Sequence, residues 1–258
     1  MRRLILEEPI ARAALWSRRL VLFAIAVAAI GVLMARFNTA EVTAVFAVLG
    51  MALLMALASA FLAVLAFVTI WRTGQRGTGM AVGAVVFAIL LLAWPAWLGV
   101  QAFRVPQITD IATDVVDPPN FSRSSRALAA RLGYIPAEPA RGTRDIQAKA
   151  YPAIEPIVLD LEAEEVFSIV QKAVAARGWK IIEQVGPGGR SGIGHIDAID
   201  RSLILGLPDD IAIRIRPLSG RTRVDVRSAS RFGRTDFGTN AKRIQAFSDE
   251  LEVQLEGK

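Results

Sequence analysis

"IAIRIRPLSGRTRVDVRSASRFG", residues 211–233, alternates apolar and polar residues in the C-terminal half of the chain. In its first arm an isoleucine occupies every second position from Ile211, and in its second arm Val224 and Val226 repeat the spacing. Leu218–Arg221, between the arms, has the composition of a turn. Because an apolar residue at every second position is typical of a strand with one buried face, the stretch predicts two strands joined by a turn.

Most of the polar positions in these two arms are arginines. Arg214 and Arg216 share one face of the first strand, and Arg223, Asp225 and Arg227 share one face of the second. If the strands pair, four arginines surround one carboxylate. One interpretation is a solvated sheet face with cross-strand ion pairs, each contributing about 0.2–1 kcal/mol. The other is an anion-binding site, because guanidinium groups bind carboxylate or phosphate through paired hydrogen bonds.

Further elements flank this hairpin. Apolar residues at helical spacing predict one helix between Asp160 and Gly178 and a last helix that begins near Thr239. The other predicted strands are Ile157–Asp160, Trp179–Val185 and one or two strands within Ile193–Leu205. Two helices beside a run of strands indicate an α+β domain with a mainly antiparallel sheet, over residues 156–258.

"RSASRFGRTDFGTN", residues 227–240, leads from the second arm into the last helix. A helix N-terminus with serine, threonine and arginine nearby favours an anion site. The alternative is structural, with Asp236, Thr239 or Asn240 capping the helix and an arginine paired with Asp236. The candidate ligand-binding residues are Arg214, Arg216, Arg227, Ser228, Ser230, Arg231, Asp236, Thr239, Asn240 and Arg243.

An enzymatic interpretation would use the adjacent carboxylates Asp209 and Asp210 with His195, the single histidine of the chain. Paired acids perform acid–base chemistry when their surroundings separate their pKa values, which would suit a hydrolase. The alternative is that both aspartates belong to a turn before the strand and that His195 is an ordinary surface or packed residue. One histidine and no cysteine offer no metal-ligand set, and no cofactor is expected.

A family resemblance rests on "LPDDIAIRI", residues 207–215, followed by "TRVDVRSASRFGRTDFGTNAKRI", residues 222–244. The Asp-Asp pair, the V-D-x-R-S-x-S-R run and the D-x-G-x-N-x-x-R-I run resemble the bacterial and plastid family known as domain of unknown function 1499. Members of that family typically carry a Pro-Asn-Cys-x-Ser element upstream. Here Pro119 and Asn120 precede Phe121, so a role that depends on that thiol is absent. The resemblance implies no activity.

Three long apolar runs fill the N-terminal part of the chain, at about 20–37, 42–71 and 80–103. Each approaches or exceeds the roughly 20 residues that cross a bilayer, so they predict three transmembrane helices in an anchor over residues 1–104. The cores of the runs contain no ionisable side chain, which argues against a transporter or pump. The bundle is therefore expected to contact the lipid bilayer as an anchor or to form homo-oligomers.

The charge of the chain is unevenly distributed. The formal net charge is +6, yet residues 105–258 contain 21 basic and 21 acidic side chains. The basicity therefore lies in the anchor and gives no support for nucleic-acid binding. Five arginines precede the first run and two lie between the second and third, against Arg36 alone at the end of the first run. This bias predicts a bacterial inner-membrane protein with a cytoplasmic N-terminus and a periplasmic C-terminal domain.

Residues 105–155 are predicted to be a proline-punctuated linker that wraps the next domain or extends freely, with a short helix near Ser125–Leu132. The favoured function is a non-enzymatic membrane protein whose periplasmic domain binds an anion, an envelope component or a partner protein. The alternatives are the periplasmic hydrolase that uses Asp209, Asp210 and His195, and a structural assembly protein that oligomerises through its transmembrane helices.

Overall fold

The computed structural model describes residues 8–139, 141–188 and 192–256. The chain divides into two compact units, Met1–Val100 and Gln101–Lys258. The helices are α1 (Arg12–Arg36), α2 (Val42–Thr73), α3 (Thr78–Arg104), α4 (Ser125–Ala130), α5 (Arg141–Ala150), α6 (Ala163–Ala176) and α7 (Thr239–Glu256). The strands are β1 (Asp110–Ala112), β2 (Ile157–Leu159), β3 (Lys180–Val185), β4 (Gly194–Arg201), β5 (Pro208–Leu218) and β6 (Arg221–Ser230).

The three predicted membrane helices are confirmed as α1, α2 and α3, all long and apolar enough to cross a membrane. Helix α1 begins at Arg12, well before the apolar run, because alanine, leucine and arginine are strong helix formers and nothing interrupts them. Small residues allow α1 and α2 to approach closely: a Cβ on Gly31 would lie 2.7 Å from Cδ2 of Leu49. The Ser59 hydroxyl donates a hydrogen bond to the carbonyl of Ser17 at 2.8 Å.

The C-terminal unit contains a six-stranded antiparallel sheet, as the alternating pattern predicts. The strand order is β1-β6-β5-β4-β3, and β2 also pairs with β6. Strands β5 and β6 form the predicted hairpin, with a register that runs from Asp209 opposite Ser230 to Leu218 opposite Arg221. The hairpin therefore lies in the middle of the sheet and sets which residues face each side.

One face of the sheet is apolar and packs against helices α6 and α7. Its core residues include Ile196, Ile211, Ile213, Ile215, Val224 and Val226, all of them buried. Trp179 stacks on Phe247 of α7 with ring centroids 5.3 Å apart. This layer of helices on one face of an antiparallel sheet is the predicted α+β arrangement.

The opposite face is covered by residues 113–138, called here the strap. The strap begins beside β6, where the N–H of Thr113 donates to the carbonyl of Val226 at 2.9 Å. Phe121 then packs on two alanines of β5 and β6, and Ala127 packs on Ile182 and Ile199. The predicted helix near Ser125–Leu132 forms as α4, with Ser124 as its N-cap. Much of the segment expected to be a linker therefore belongs to the folded C-terminal unit.

Candidate functional site

The charged side chains of the hairpin lie on one face of the sheet, as their alternation in the sequence predicts. Arg214 lies opposite Asp225, and Arg216 lies opposite Arg223. The fully buried carboxylate of Asp225 accepts from Nη2 of Arg214 at 2.8 Å and from Nε of Arg223 at 2.7 Å. Arg216 approaches the same carboxylate at 3.9 Å. Three arginines, rather than four, surround Asp225, because Arg227 turns to other partners.

The strap adds two more carboxylates to this group. Asp114 forms ion pairs with Arg223 and, at 3.7 Å, with Arg214. Asp117 pairs with Arg214 at 2.9 Å and with Arg216 at 3.1 Å. We call the six residues the Asp225 cluster; they are Asp114, Asp117, Arg214, Arg216, Arg223 and Asp225. Because three guanidinium groups meet three carboxylates, the cluster is neutral and its arginines are committed to partners within the chain.

Arg227 is fully buried, and its hydrogen bonds tie β6 to β1 and to the strap. Its Nε and Nη2 donate to the carboxylate of Asp110 at 3.1 and 2.8 Å. The remaining N–H groups reach the carbonyls of Ala137 and Pro119, at 3.0 and 3.3 Å, and the carboxylate of Glu138 at 3.1 Å. Since a guanidinium has five N–H donors, this arginine has none left for a ligand.

Phe121 lies beneath two arginines of this face. The guanidinium carbon of Arg227 is 4.8 Å from the ring centroid, and that of Arg131 is 5.2 Å from it. The ring is 6% exposed and also contacts Ala212 and Ala229. An aromatic face attracts cations held within about 6 Å, so the position supplies cation–π contacts in this chain rather than thiol chemistry.

Arg131, at the end of α4, connects two buried aspartates of the sheet. Its Nε donates to Asp210 at 3.0 Å and its Nη2 donates to Asp197 at 2.7 Å, with all three side chains fully buried. Arg231 binds the same Asp210 carboxylate through two hydrogen bonds of 2.7 and 2.8 Å. The sequence interpretation did not include Arg131. A signal for the strap itself was present in the sequence. Asp110, Asp114 and Asp117 follow one another at short spacing, as expected of a segment that covers an arginine-rich face.

The three residues of the hydrolase interpretation do not meet at one point. Asp209 and Asp210 are neighbours within β5, so the expected turn before the strand is wrong. Their side chains point to opposite faces of the sheet. Asp209 pairs with Arg243 on the helix side, whereas Asp210 faces the strap. His195 lies opposite Arg214, about 13 Å along the strand from Asp210. Its ring nitrogen contacts Asp197 at 2.9 Å, so His195 faces neither acid of this interpretation.

Asp236 caps the N-terminus of α7. One carboxylate oxygen accepts from the N–H of Gly238 at 2.8 Å and the other accepts from the N–H of Asn240 at 2.9 Å. The hydroxyl of Thr239 donates to the backbone carbonyl of Asp236 at 2.7 Å. The positive end of the helix therefore already has a carboxylate bound to it, as in the capping interpretation of the sequence. The arginine partner expected for Asp236 is wrong, because Arg231 pairs with Asp210 and Arg243 pairs with Asp200 and Asp209.

Side chains of the junction and of α7 continue this arrangement into a buried polar network. Asn240 accepts from the Ser228 hydroxyl at 2.8 Å and donates to the Ser230 hydroxyl at 3.0 Å. Arg243 donates to Ser228, Asn240 and Asp209, and its Nε reaches Asp200 at 2.7 Å. The ten candidate residues thus form two groups on opposite faces of the sheet, and every one of them makes a polar contact within the chain.

Three buried carboxylates have a pKa above the ordinary value. Burial is the main cause for Asp110, Asp209 and Asp236, and it exceeds the opposing effects of Arg227, Arg243 and backbone N–H groups, respectively. When these carboxyl groups are ionised, they lower the free energy of unfolding. The free energy of unfolding rises again as the pH falls through the raised pKa and the groups become protonated. Their hydrogen-bond partners are therefore structural requirements of the fold.

Residues of the strap and Arg227 line a groove of about 580 Å³, and two of its polar side chains have no partner among the described residues. We call it the strap groove; it is lined by Asn120, Phe121, Arg123, residues 135–138 and Arg227. The side chains of Asn120 and Arg123 are exposed and, among the described residues, have no hydrogen-bond or ion-pair partner. Within the same described ranges, no group of three His, Cys, Asp or Glu side chains is placed to hold a metal ion.

We predict that Arg227→Met destabilises the C-terminal unit by about 3–5 kcal/mol, because it leaves Asp110 buried without its charged partner. Arg221→Met is the matched control on the same strand, since its ion pair with Asp160 is largely exposed and should contribute about 0–1 kcal/mol. Denaturant unfolding of the full chain in detergent can be followed by Trp179 fluorescence, with the four tryptophans of α1–α3 replaced by phenylalanine. Equal losses for both variants would contradict the prediction.

Asp114, which is half-buried, differs from Asp110, Asp209 and Asp236 because its pKa is lowered. Burial alone would raise it, but hydrogen bonds from the N–H groups of Asp117 and Val116, together with Arg223 and Arg214, outweigh burial. A carboxyl with a lowered pKa in the folded state adds stability above its ordinary pKa of 3.8. That stability is lost as the pH falls through the folded-state value.

We therefore expect Asp114→Asn to cost about 1–3 kcal/mol at neutral pH, since it removes two charge-assisted contacts and keeps the side-chain acceptor. The difference from the unsubstituted chain should shrink only below pH 3.8, which thermal unfolding at a series of pH values would measure. Asp145→Asn, at an exposed position of α5, serves as the control and should show no such dependence. A stability difference that is constant down to about pH 2 would rule out the Asp114 carboxylate as its source.

Comparison with known families agrees with the residues that carry the resemblance. A family model described as "Protein of unknown function (DUF1499)" matches residues 110–251, which run from β1 through the strap and the sheet into α7. A search of curated proteins finds no match. The matched range covers more than half of the chain and includes both the arginine-bearing hairpin and the strap that covers it. The chain therefore belongs to the family of proteins of unknown function DUF1499.

Proposed function

We propose that this chain is a membrane-anchored, non-enzymatic binding module whose C-terminal unit takes an anionic envelope component in the strap groove. The carrying observation is the contrast between two sets of donors. The arginines of the sheet face are held by carboxylates of the chain, whereas Arg123 and Asn120 line a groove of about 580 Å³ without partners among the described residues. We therefore assign ligand recognition to Arg123 and Asn120.

The chemistry of the groove favours an anion that also carries hydroxyl groups. Arg123 offers a guanidinium to a carboxylate, and Asn120 adds an amide donor beside it. The exposed Glu138 also lines the groove and can accept a further hydrogen bond, beside those from Arg227 to its Oε1 and from Arg144 to its Oε2. An acceptor and two donors in one groove suit a sugar acid, which combines a carboxylate with neighbouring hydroxyls.

The same proposal places the chain in a bacterial inner membrane, with the N-terminus in the cytoplasm and the C-terminal unit in the periplasm. The support is the distribution of positive charge. Five arginines precede the apolar run of α1, Arg72 and Arg76 lie at and just after the end of α2, and Arg36, the last residue of α1, is the single basic residue beside the first loop. Basic loops stay on the cytoplasmic side, so a chain with three spans ends on the opposite side.

We predict that alkaline phosphatase fused after Lys258 is active in a bacterial host, because that enzyme folds only in an oxidising compartment. The same reporter inserted at Gly74, in the basic loop between α2 and α3, should stay inactive. The measurement is phosphatase activity normalised to the amount of fusion protein. The reverse pattern would overturn the assigned topology.

We predict that glucuronate stabilises the full chain in detergent and that Arg123→Ala abolishes the effect. A ligand present at about 100 times its Kd raises the unfolding free energy by about 2.7 kcal/mol, which a thermal-shift titration detects. Arg126→Ala is the matched control, because Arg126 is equally exposed, lies on α4 and is outside the groove. Absence of stabilisation by glucuronate, or its equal loss in both variants, would contradict the assignment of the groove.

A further inference from the structure

A second pocket, of about 330 Å³, lies within the C-terminal unit and has a different character. Most of its walls are apolar, formed by residues just after α3, by the turn Tyr151–Ile154 and by the first turns of α7. Its volume is at the lower end of the range for sites that enclose small organic molecules. We call it the Tyr151 pocket.

The hydroxyl of Tyr151 is a buried polar atom for which the described residues provide no hydrogen-bond partner. Gly238 lines the pocket beside it, and a Cβ at that position would lie 3.4 Å from the hydroxyl oxygen. Burial, followed by the charge of Asp236, raises the pKa of Tyr151, so the phenol stays protonated and offers a donor. Buried polar groups in folded proteins almost always have a partner, which points to an acceptor from outside the chain.

The rim of the pocket carries a free cation. Lys242 and Gln245 lie one turn apart on α7, are exposed, and have no side-chain partner in the part of the chain that the structure describes. The pocket therefore combines an apolar interior, one internal hydroxyl donor and a positive rim. A positive rim above an apolar interior suits an amphiphile with an anionic head and an apolar tail.

One wall of the pocket is formed by the end of a helix that is long and apolar enough to cross a membrane. Gln101 belongs to the last turn of α3, and Val105 directly follows that helix. The 27 residues of α3 extend about 40 Å, whereas the hydrocarbon core of a bilayer is about 30 Å thick. The last turn of a helix of this length emerges into the headgroup layer, where phospholipids are the most abundant amphiphiles.

We propose that the Tyr151 pocket binds an anionic phospholipid of the surrounding bilayer. The lipid phosphate lies at Lys242, an ester carbonyl accepts the hydrogen bond of the Tyr151 hydroxyl, and the start of an acyl chain contacts Val105 and Ile154. The pocket shares no residue with the strap groove, so this inference stands independently of the proposed sugar-acid site.

The test uses the full chain in nanodiscs of phosphatidylcholine with a minor fraction of phosphatidylglycerol that carries a photoreactive group near its ester. After illumination, mass spectrometry should find the label on peptides that contain Tyr151–Ile154 or residues 237–245. Lys242→Gln should lower this labelling about fivefold, the effect expected for one basic residue at an anionic membrane surface. Lys180→Gln, an exposed lysine of β3, is the matched control and should leave labelling unchanged.

A second variant separates ligand binding from folding. Tyr151→Phe should lower the labelling, yet raise the melting temperature in lipid-free detergent, because it removes an unpaired buried hydroxyl. Excess unlabelled phosphatidylglycerol should compete, and sodium phosphate should not. Label spread evenly over α1–α3, equal labelling of the two lysine variants, equal competition by phosphate, or a cross-link to a second copy in place of lipid would each overturn the proposal.

Discussion

The C-terminal unit depends on the neutralisation of arginines beneath the strap. The central hairpin places Arg214, Arg216, Arg223 and Arg227 on its polar face, and the strap covers these groups partly or fully. A buried charge without a partner is strongly destabilising, so each arginine requires a carboxylate close by. Six arginines meet seven carboxylates on this face, and four of the seven come from β1 and the strap. The position of the strap is therefore determined by ion pairs more than by apolar contact.

This constraint explains why an apolar protein concentrates arginine in one hairpin. Replacing buried ion pairs by apolar residues is often neutral or stabilising, so stability alone does not account for them. In this protein the ion pairs align β1 and the strap with the sheet. Arg227 holds Asp110 of β1 together with two carbonyls of the strap, and Arg131 holds Asp197 and Asp210 of adjacent strands. Their geometry fixes the long, proline-rich segment at one register on the sheet.

The same constraint moves binding chemistry away from the residues that first suggest it. An arginine with all five donors engaged cannot also hold a ligand, and a helix N-terminus capped by Asp236 has no room for a second anion. Among the described residues, two pockets are lined by donors without a partner: Arg123 and Asn120 at the strap groove, and Lys242 and Tyr151 at the second pocket. Both proposed sites are therefore built from donors that the fold does not use.

Features that repeat locally along the chain were predictable from the order of the amino acids. Apolar length identified the three membrane helices, strand parity identified the two faces of the hairpin, and the junction residues indicated a cap for the last helix. Tertiary structure alone decided which carboxylate each arginine meets, since Arg227 and Asp110 are 117 positions apart. It also decided that Asp209 and Asp210 face opposite sides, and that the predicted site residues divide between two networks. Periodicity records the surroundings of neighbouring residues, whereas a contact between distant segments exists only after the chain has brought them together.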